Sequence, residues 1–100
     1  MKPDPGPEMP GERLFKALGD PQRLRILRAL RGGDLAAGEL ADRVAVSAAT
    51  CSHHLGILRD AGLVRVRRDG QSRIYTLNLS VFEEAVMMLT QFLKPGVGRR

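Results

Sequence analysis

A single cysteine, Cys51, is the whole of the thiol chemistry in this sequence. One thiol excludes an internal disulfide framework and fits a reducing cytoplasm. Long apolar runs are also missing. None approaches the roughly 20 residues that a membrane span needs, so direct membrane insertion is not expected. The opening stretch, MKPDPGPEMPGE, holds four prolines and no apolar h-region. Residues 1–11 therefore read as a disordered leader rather than a signal peptide. Enzyme signatures are absent as well: there is no Gly-rich phosphate loop, no HExxH and no GxSxG. Glu83 and Glu84 are more simply negative charge at a helix N-terminus. Ser47 or Ser52 beside His53 would make a nucleophile and base on an open helix face, with no pocket around them. The chain is expected to be neither an enzyme nor the holder of a cofactor.

Lysine is missing where the positive charge is concentrated. The net charge is +5, and residues 21–80 carry ten arginines, five acids and no lysine. Residues 1–20 are net −1 and the last twenty net +1. The basic middle is thus entirely arginine, whose planar fork suits bidentate phosphate contact. At 100 residues the chain makes one small domain. A domain of that size buries roughly two-thirds of its unfolded surface, so a partner subunit would add stability.

Periodicity divides the chain into short elements. ERLFKAL (12–18) reads as a helix with Leu14, Phe15 and Leu18 on one face, ending at Gly19. Asp20-Pro21 then supplies an N-cap followed by proline at the first helical position. The helix PQRLRILRAL should bury Leu24, Ile26, Leu27 and Leu30, with Arg23, Arg25, Arg28 and Arg31 around the rest, and stop at Gly32-Gly33. Asp34 should open the next helix, LAAGELADRV, with Leu35, Leu40 and Val44 inward. After the tight turn AVS, Ser47 caps a helix running to about Ala61. Two helices joined in this way form a helix-turn-helix. From Gly62 onward the period falls to two: LVRVRR, the turn DGQS and RIYTLN form a β-hairpin wing. Ser80 and Glu83 form a capping box for VFEEAVMMLTQFL, in which Phe82, Ala85, Val86, Leu89, Phe92 and Leu93 recur at helical spacing. The expected fold is mainly α with a β-hairpin wing, a winged helix-turn-helix of order α-α-α-α-β-β-α over residues 12–93. Residues 94–100 are expected to be a flexible basic tail.

The helix from Ser47 has two faces of different character. At 100° per residue, Cys51, Leu55 and Leu58 fall within about 60° of one another, with His54 at the edge of the stripe. Ala49, Ser52, His53 and Gly56 lie opposite, small and polar. Adjacent histidines diverge too far to chelate one ion. Cys51 and His54 have a workable spacing, but both tend inward and no further ligand is near, so no metal site is expected. Cys51 near a helix N-terminus could be a reactive thiol, yet its inward direction makes it a small buried hydrophobe. His54 is expected to be a half-buried residue hydrogen-bonded to a neighbour. What remains is DNA: no bulky side chain holds the outer face away from base edges. The DNA-contacting set is Ser47, Ala48, Ala49, Thr50, Ser52, His53 and Arg59 on the helix, with Arg67, Arg68, Gln71 and Arg73 on the wing. The apolar positions Leu14, Phe15, Leu18, Phe82, Val86, Leu89, Phe92 and Leu93 exceed what one small domain can cover, and are expected to join two subunits.

The segments LFKALGDPQRLRILRAL and GELADRVAVSAATCSHHLGILRDAGLVRVRRDGQSRIYTLN resemble the ArsR/SmtB family of bacterial winged helix repressors. The resemblance covers roughly residues 12–93. It implies a homodimeric, cytoplasmic repressor of double-stranded DNA operators, reading through Ser47–Ala61 and dimerising through its first and last helices. Metal-sensing members carry Cys-x-Cys-Asp-Leu where this chain has AAGEL, so Ala36 and Gly38 stand in place of thiols. Members that bind zinc between terminal helices use histidines that VFEEAVMMLTQFL lacks. The pattern looks most like the SdpR-type autorepressors, which have no metal site. That subgroup implies control of the protein's own operon, and relief of repression by a membrane or other protein partner. An unrecognised inducer, a thiol oxidant at Cys51 or a small molecule between the terminal helices, is the alternative.

Overall fold

Asp20 and Pro21 start a helix as their chemistry demands. In the computed structural model, which describes residues 11–93, the Asp20 carboxylate accepts a hydrogen bond from the Arg23 backbone N–H at 3.0 Å. Proline at the first position loses no bond there, because its missing N–H would have had no intrahelical partner. The helix is α2 (Pro21–Leu30), preceded by α1 (Glu12–Leu18) and its C-cap Gly19. Ile26, Leu27 and Leu30 are buried, but Leu24 is 46% exposed, contrary to the expected apolar face. The cause is angular: Leu24 stands about 110° from the centre of the face the other three share.

The third helix begins later than Asp34. Leu35–Ala36 is extended and forms a short strand, β1, and α3 runs Ala37–Val44. Ala36 is the N-cap and has no acceptor to offer. Only the reverse bond forms, from its backbone N–H to Glu39 Oε1 at 2.9 Å. Ala45 closes α3 in the left-handed region at φ 57, ψ 48, and α4 (Ala48–Asp60) follows its N-cap Ser47. Ser47 Oγ accepts from Thr50 N–H and donates to Thr50 Oγ1, both at 3.0 Å.

The wing is β2 (Val64–Asp69) and β3 (Ser72–Leu77), paired antiparallel from Val64↔Leu77 to Asp69↔Ser72. Gly70 opens the two-residue loop at φ 64, which suits glycine at the first position of a hairpin turn. β1 joins on the other side of β3 through Leu35↔Tyr75 and Ala36↔Ile74, so the sheet has three strands ordered β1-β3-β2. The extra strand lets Leu35 stay buried without being helical.

α5 spans Leu79–Thr90. It starts at Leu79 with Asn78 as N-cap, so the expected Ser80–Glu83 box does not set its start. Asn78 is held instead by its own bonds: its N–H donates to Leu63 O and its side-chain amide to Gly62 O, each at 3.0 Å. These ties fix the end of β3 against the α4–β2 loop and turn the chain directly into α5. Residues Gln91–Leu93 continue as i→i+3 turns.

The core lies between α2, α3, α4 and the sheet. Its fully buried large side chains are Ile26, Leu40, Cys51, Leu55, Leu58, Leu63 and Val64. Gly11, assigned to the leader by composition, is the N-cap of α1 at φ 83. A Cβ there would meet Met88 Sδ at 2.5 Å, so glycine permits close approach to α5. The remainder of the leader and the 94–100 tail lie outside the described residues. Among the described residues no helix is long and apolar enough to cross a membrane.

Candidate nucleic-acid interface

α4 sorts its side chains as its periodicity requires. Cys51, His54, Leu55 and Leu58 are buried, while Ala48, Ala49, Ser52 and His53 are exposed. Thr50 and Gly56 are half-buried, and a Cβ on Gly56 would meet nothing within 4 Å. The outer surface of the helix is therefore low along its length, with hydroxyl and imidazole groups as its polar features. Ser47 is exposed too, although its hydroxyl is occupied in capping. Arg59 is exposed in the last turn, at the opposite end of the helix from Ser47.

On the wing, Arg67, Arg68, Gln71 and Arg73 are all exposed. Arg68 and Arg73 lie directly opposite each other in the β2–β3 register. Like charges at facing positions destabilise an antiparallel pair, so this arrangement is costly unless an anion lies against it. Arg67 is different. Its NH1 lies 3.1 Å from Asp34 Oδ2, tying the wing to the loop before β1. Hydrogen bonds from Thr76 and then Arg67 hold the Asp34 carboxyl below the ordinary range. A second basic feature lies away from the wing: Arg25, Arg28 and Arg43 line an open groove of about 530 Å³ with Ala29, Val44 and Ala45.

The inward face settles what Cys51 and His54 are doing. Cys51 is buried with Sγ 4.0 Å from Ala37 O, and burial pushes its thiol up, away from the reactive thiolate. His54 is also buried. Its Nδ1 lies 3.4 Å from Arg23 NH1 and its Nε2 2.8 Å from Gln22 Oε1. Arginine can only donate, so Nδ1 accepts and Nε2–H donates to Gln22. Asp20 Oδ2 is 3.9 Å from Nε2. The backbone N–H of Arg23 is the main reason the Asp20 carboxyl sits below the usual carboxylate range. The helical period places Arg23 with the arginines outside the apolar face of α2 and gives Gln22 no role. The available signal was the predicted inward edge of His54, which requires polar partners. Among the described residues no group of three His, Cys, Asp or Glu side chains comes together to hold a metal ion.

The residues expected to join two subunits divide into two sets. Leu14 is buried within the chain's own core, and Phe15, Leu18 and Phe82 pack partly against it. Val86, Leu89, Phe92 and Leu93 are exposed, together with Leu79 and Met87.

Comparison with known proteins agrees with this geometry. A helix-turn-helix domain model matches residues 18–67. The transcriptional repressor SdpR of Bacillus subtilis (strain 168) is 39% identical over 83 residues, 83% of this chain and 92% of that protein. The crystal structure of an ArsR family transcriptional regulator superposes with a TM-score of 0.75 at 26% identity, covering 81% of this chain and 89% of that one. The homodimeric winged helix-turn-helix DNA-binding domain of a possible ArsR-family regulator from Mycobacterium bovis gives a TM-score of 0.68 at 28% identity. It covers 88% of this chain and 85% of that one. The chain belongs to the ArsR family of winged helix-turn-helix transcriptional regulators.

Proposed function

We propose that this protein is a cytoplasmic, dimeric repressor that reads an inverted-repeat operator, including that of its own operon, without sensing a metal. One observation carries the reading. The exposed face of α4 is low and polar, and the wing beside it presents Arg68 and Arg73, exposed and directly opposite each other. Ser47, Ala48, Ala49, Thr50, Ser52 and His53 would meet base edges, while Arg59, Arg67, Arg68, Gln71 and Arg73 would meet phosphates. Dimerisation through α1 and α5 is supported by the exposed apolar side chains of α5 and by the homodimeric state of the M. bovis relative. Ala36 and Gly38, where the family resemblance places the thiols of metal-sensing members, offer no ligand for a metal. Relief of repression by a membrane or other protein partner rests on the likeness to the SdpR-type autorepressors alone.

A second reading, release by a small molecule, is favoured by an apolar groove of about 420 Å³. It is lined by Leu24, Leu27, Leu77, Leu79 and Phe82, with Arg28 and Arg31 at its rim. This groove lies between α2, the end of β3 and the start of α5, not between the terminal helices alone. The oxidant reading is weakened by the burial of Cys51.

A mobility-shift assay on the DNA upstream of the protein's own gene tests the proposal. We expect a discrete complex unaffected by Zn²⁺, chelator or peroxide. A complex that forms or dissolves with metal would overturn the metal-free reading, and no complex at any concentration would overturn the autorepressor reading.

A further inference from the structure

Arg23 touches three elements at once. Its Nε donates to Ala17 O at 2.8 Å and its NH2 to Lys16 O at 3.1 Å. These are carbonyls of the last turn of α1, and Lys16 O also accepts the capping N–H of Gly19 at 3.1 Å. Its NH1 reaches His54 Nδ1 on α4 at 3.4 Å. Its own backbone N–H is engaged by Asp20 at the start of α2. Gln22, one residue earlier, takes the other nitrogen of the same imidazole. The end of the proposed dimerisation helix and the middle of the reading helix are thus joined through one guanidinium.

We propose that Arg23 is a positioning residue that sets the orientation of α4 relative to α1, and through the dimer fixes the distance between the two reading helices. The inference rests on the dimeric, operator-reading function proposed above. The physical argument is one of stiffness. Guanidinium is planar and forks its donors in fixed directions, so bonds to Lys16 O and Ala17 O fix the direction in which NH1 meets His54. His54 is buried and its second nitrogen is anchored by Gln22, so the ring cannot swing to follow a looser partner. Tilting α4 against α1 therefore breaks at least one of these bonds. A lysine has a point charge and a flexible stem, and cannot hold all three acceptors in one geometry.

A rigid pair of reading heads is a bivalent ligand, and its avidity depends on matching the separation of the two half-sites. The test compares wild type, Arg23→Lys and His54→Phe. Affinity is measured for a single half-site and for operators whose half-sites are moved apart or together by about 2 bp from the natural spacing of roughly one helical turn. Wild type should discriminate against the altered spacings by about tenfold or more. Both variants should keep wild-type half-site affinity while discriminating less than about threefold. His54→Phe leaves the α1 carbonyl bonds in place and removes both ring-nitrogen contacts, so it breaks only the α4 end of the link. It remains informative if Arg23→Lys does not fold.

A DNA-free measurement separates failure of this inference from failure of the functional reading. Spin labels at Ser52→Cys in a Cys51→Ala background report the distance between the two α4 helices. The distribution should be narrow in the parent and broadened when Arg23→Lys is added. Unchanged spacing discrimination with an unchanged distance distribution would overturn the inference. So would a parallel loss of half-site affinity and thermal stability, which would make Arg23 a support of the fold and nothing more. Absence of any wild-type operator binding, with the label distances behaving as stated, would instead count against the function proposed above.

Discussion

Ala45 occupies a backbone region that glycine adopts freely and alanine does not. Its φ of 57 closes α3 and aims the chain into the turn before α4. Relief of that strain predicts that Ala45→Gly raises stability by up to about 1 kcal/mol, read from the denaturant midpoint, with operator affinity unchanged. Cys51→Ser should do the reverse, because it places a hydroxyl in an apolar setting where Ala37 O lies 4.0 Å from the present sulfur. A loss of about 1–3 kcal/mol in stability is expected, again without change in sequence preference. Asp34 gives a pH-dependent case. Its carboxyl is lowered in the folded protein, so its stabilising contribution is present above the ordinary aspartate range and is lost as pH falls through the lower folded value. The stability gap between wild type and Asp34→Asn should therefore be open at pH 7 and close in strong acid, as urea midpoints at several pH values would show. The two inward residues of α4 were readable from angle alone, since burial follows the helical period. Gln22 and Arg23 were not, because contact between α2 and α4 depends on how the helices cross, and sequence spacing carries no such angle.

The wing shows what an element can reveal that its residues cannot. Period-two alternation located β2 and β3 and the DGQS turn, but only the register puts Arg68 opposite Arg73. Two predictions of opposite sign follow from that pairing. Arg73→Thr should stabilise the free protein by about 0.2–1 kcal/mol, since it removes facing like charges and places a good strand former there. The same change should weaken binding to operator and random DNA alike and reduce the salt slope by about one unit. Calorimetric melting and anisotropy titrations at two salt concentrations measure both. β1 was illegible for a physical reason: a two-residue strand has no period of its own and forms because β3 has an open edge beside Leu35. The start of α5 was misplaced for a similar cause, since Asn78 is fixed by bonds to Gly62 and Leu63, sixteen and fifteen residues away in sequence.

For the whole molecule, the winged helix-turn-helix order was legible because each turn has its own chemistry: Asp-Pro, Gly-Gly, Ser47 and Gly70. The exposed side of α5 was legible as surplus apolar surface, although Leu14 proved to belong to the chain's own core. Val86→Glu together with Leu89→Glu should shift sedimentation from dimer to monomer and lower operator affinity, because the charges would have to be buried at the proposed interface. The central claim is that the outer face of α4 reads base sequence. Its most direct test is an anisotropy titration of Ser52→Ala and His53→Ala against the operator and against random DNA of equal length. A loss of about 1–3 kcal/mol on the operator and much less on random DNA is predicted. Equal losses on both DNAs, or no loss on either, would contradict it.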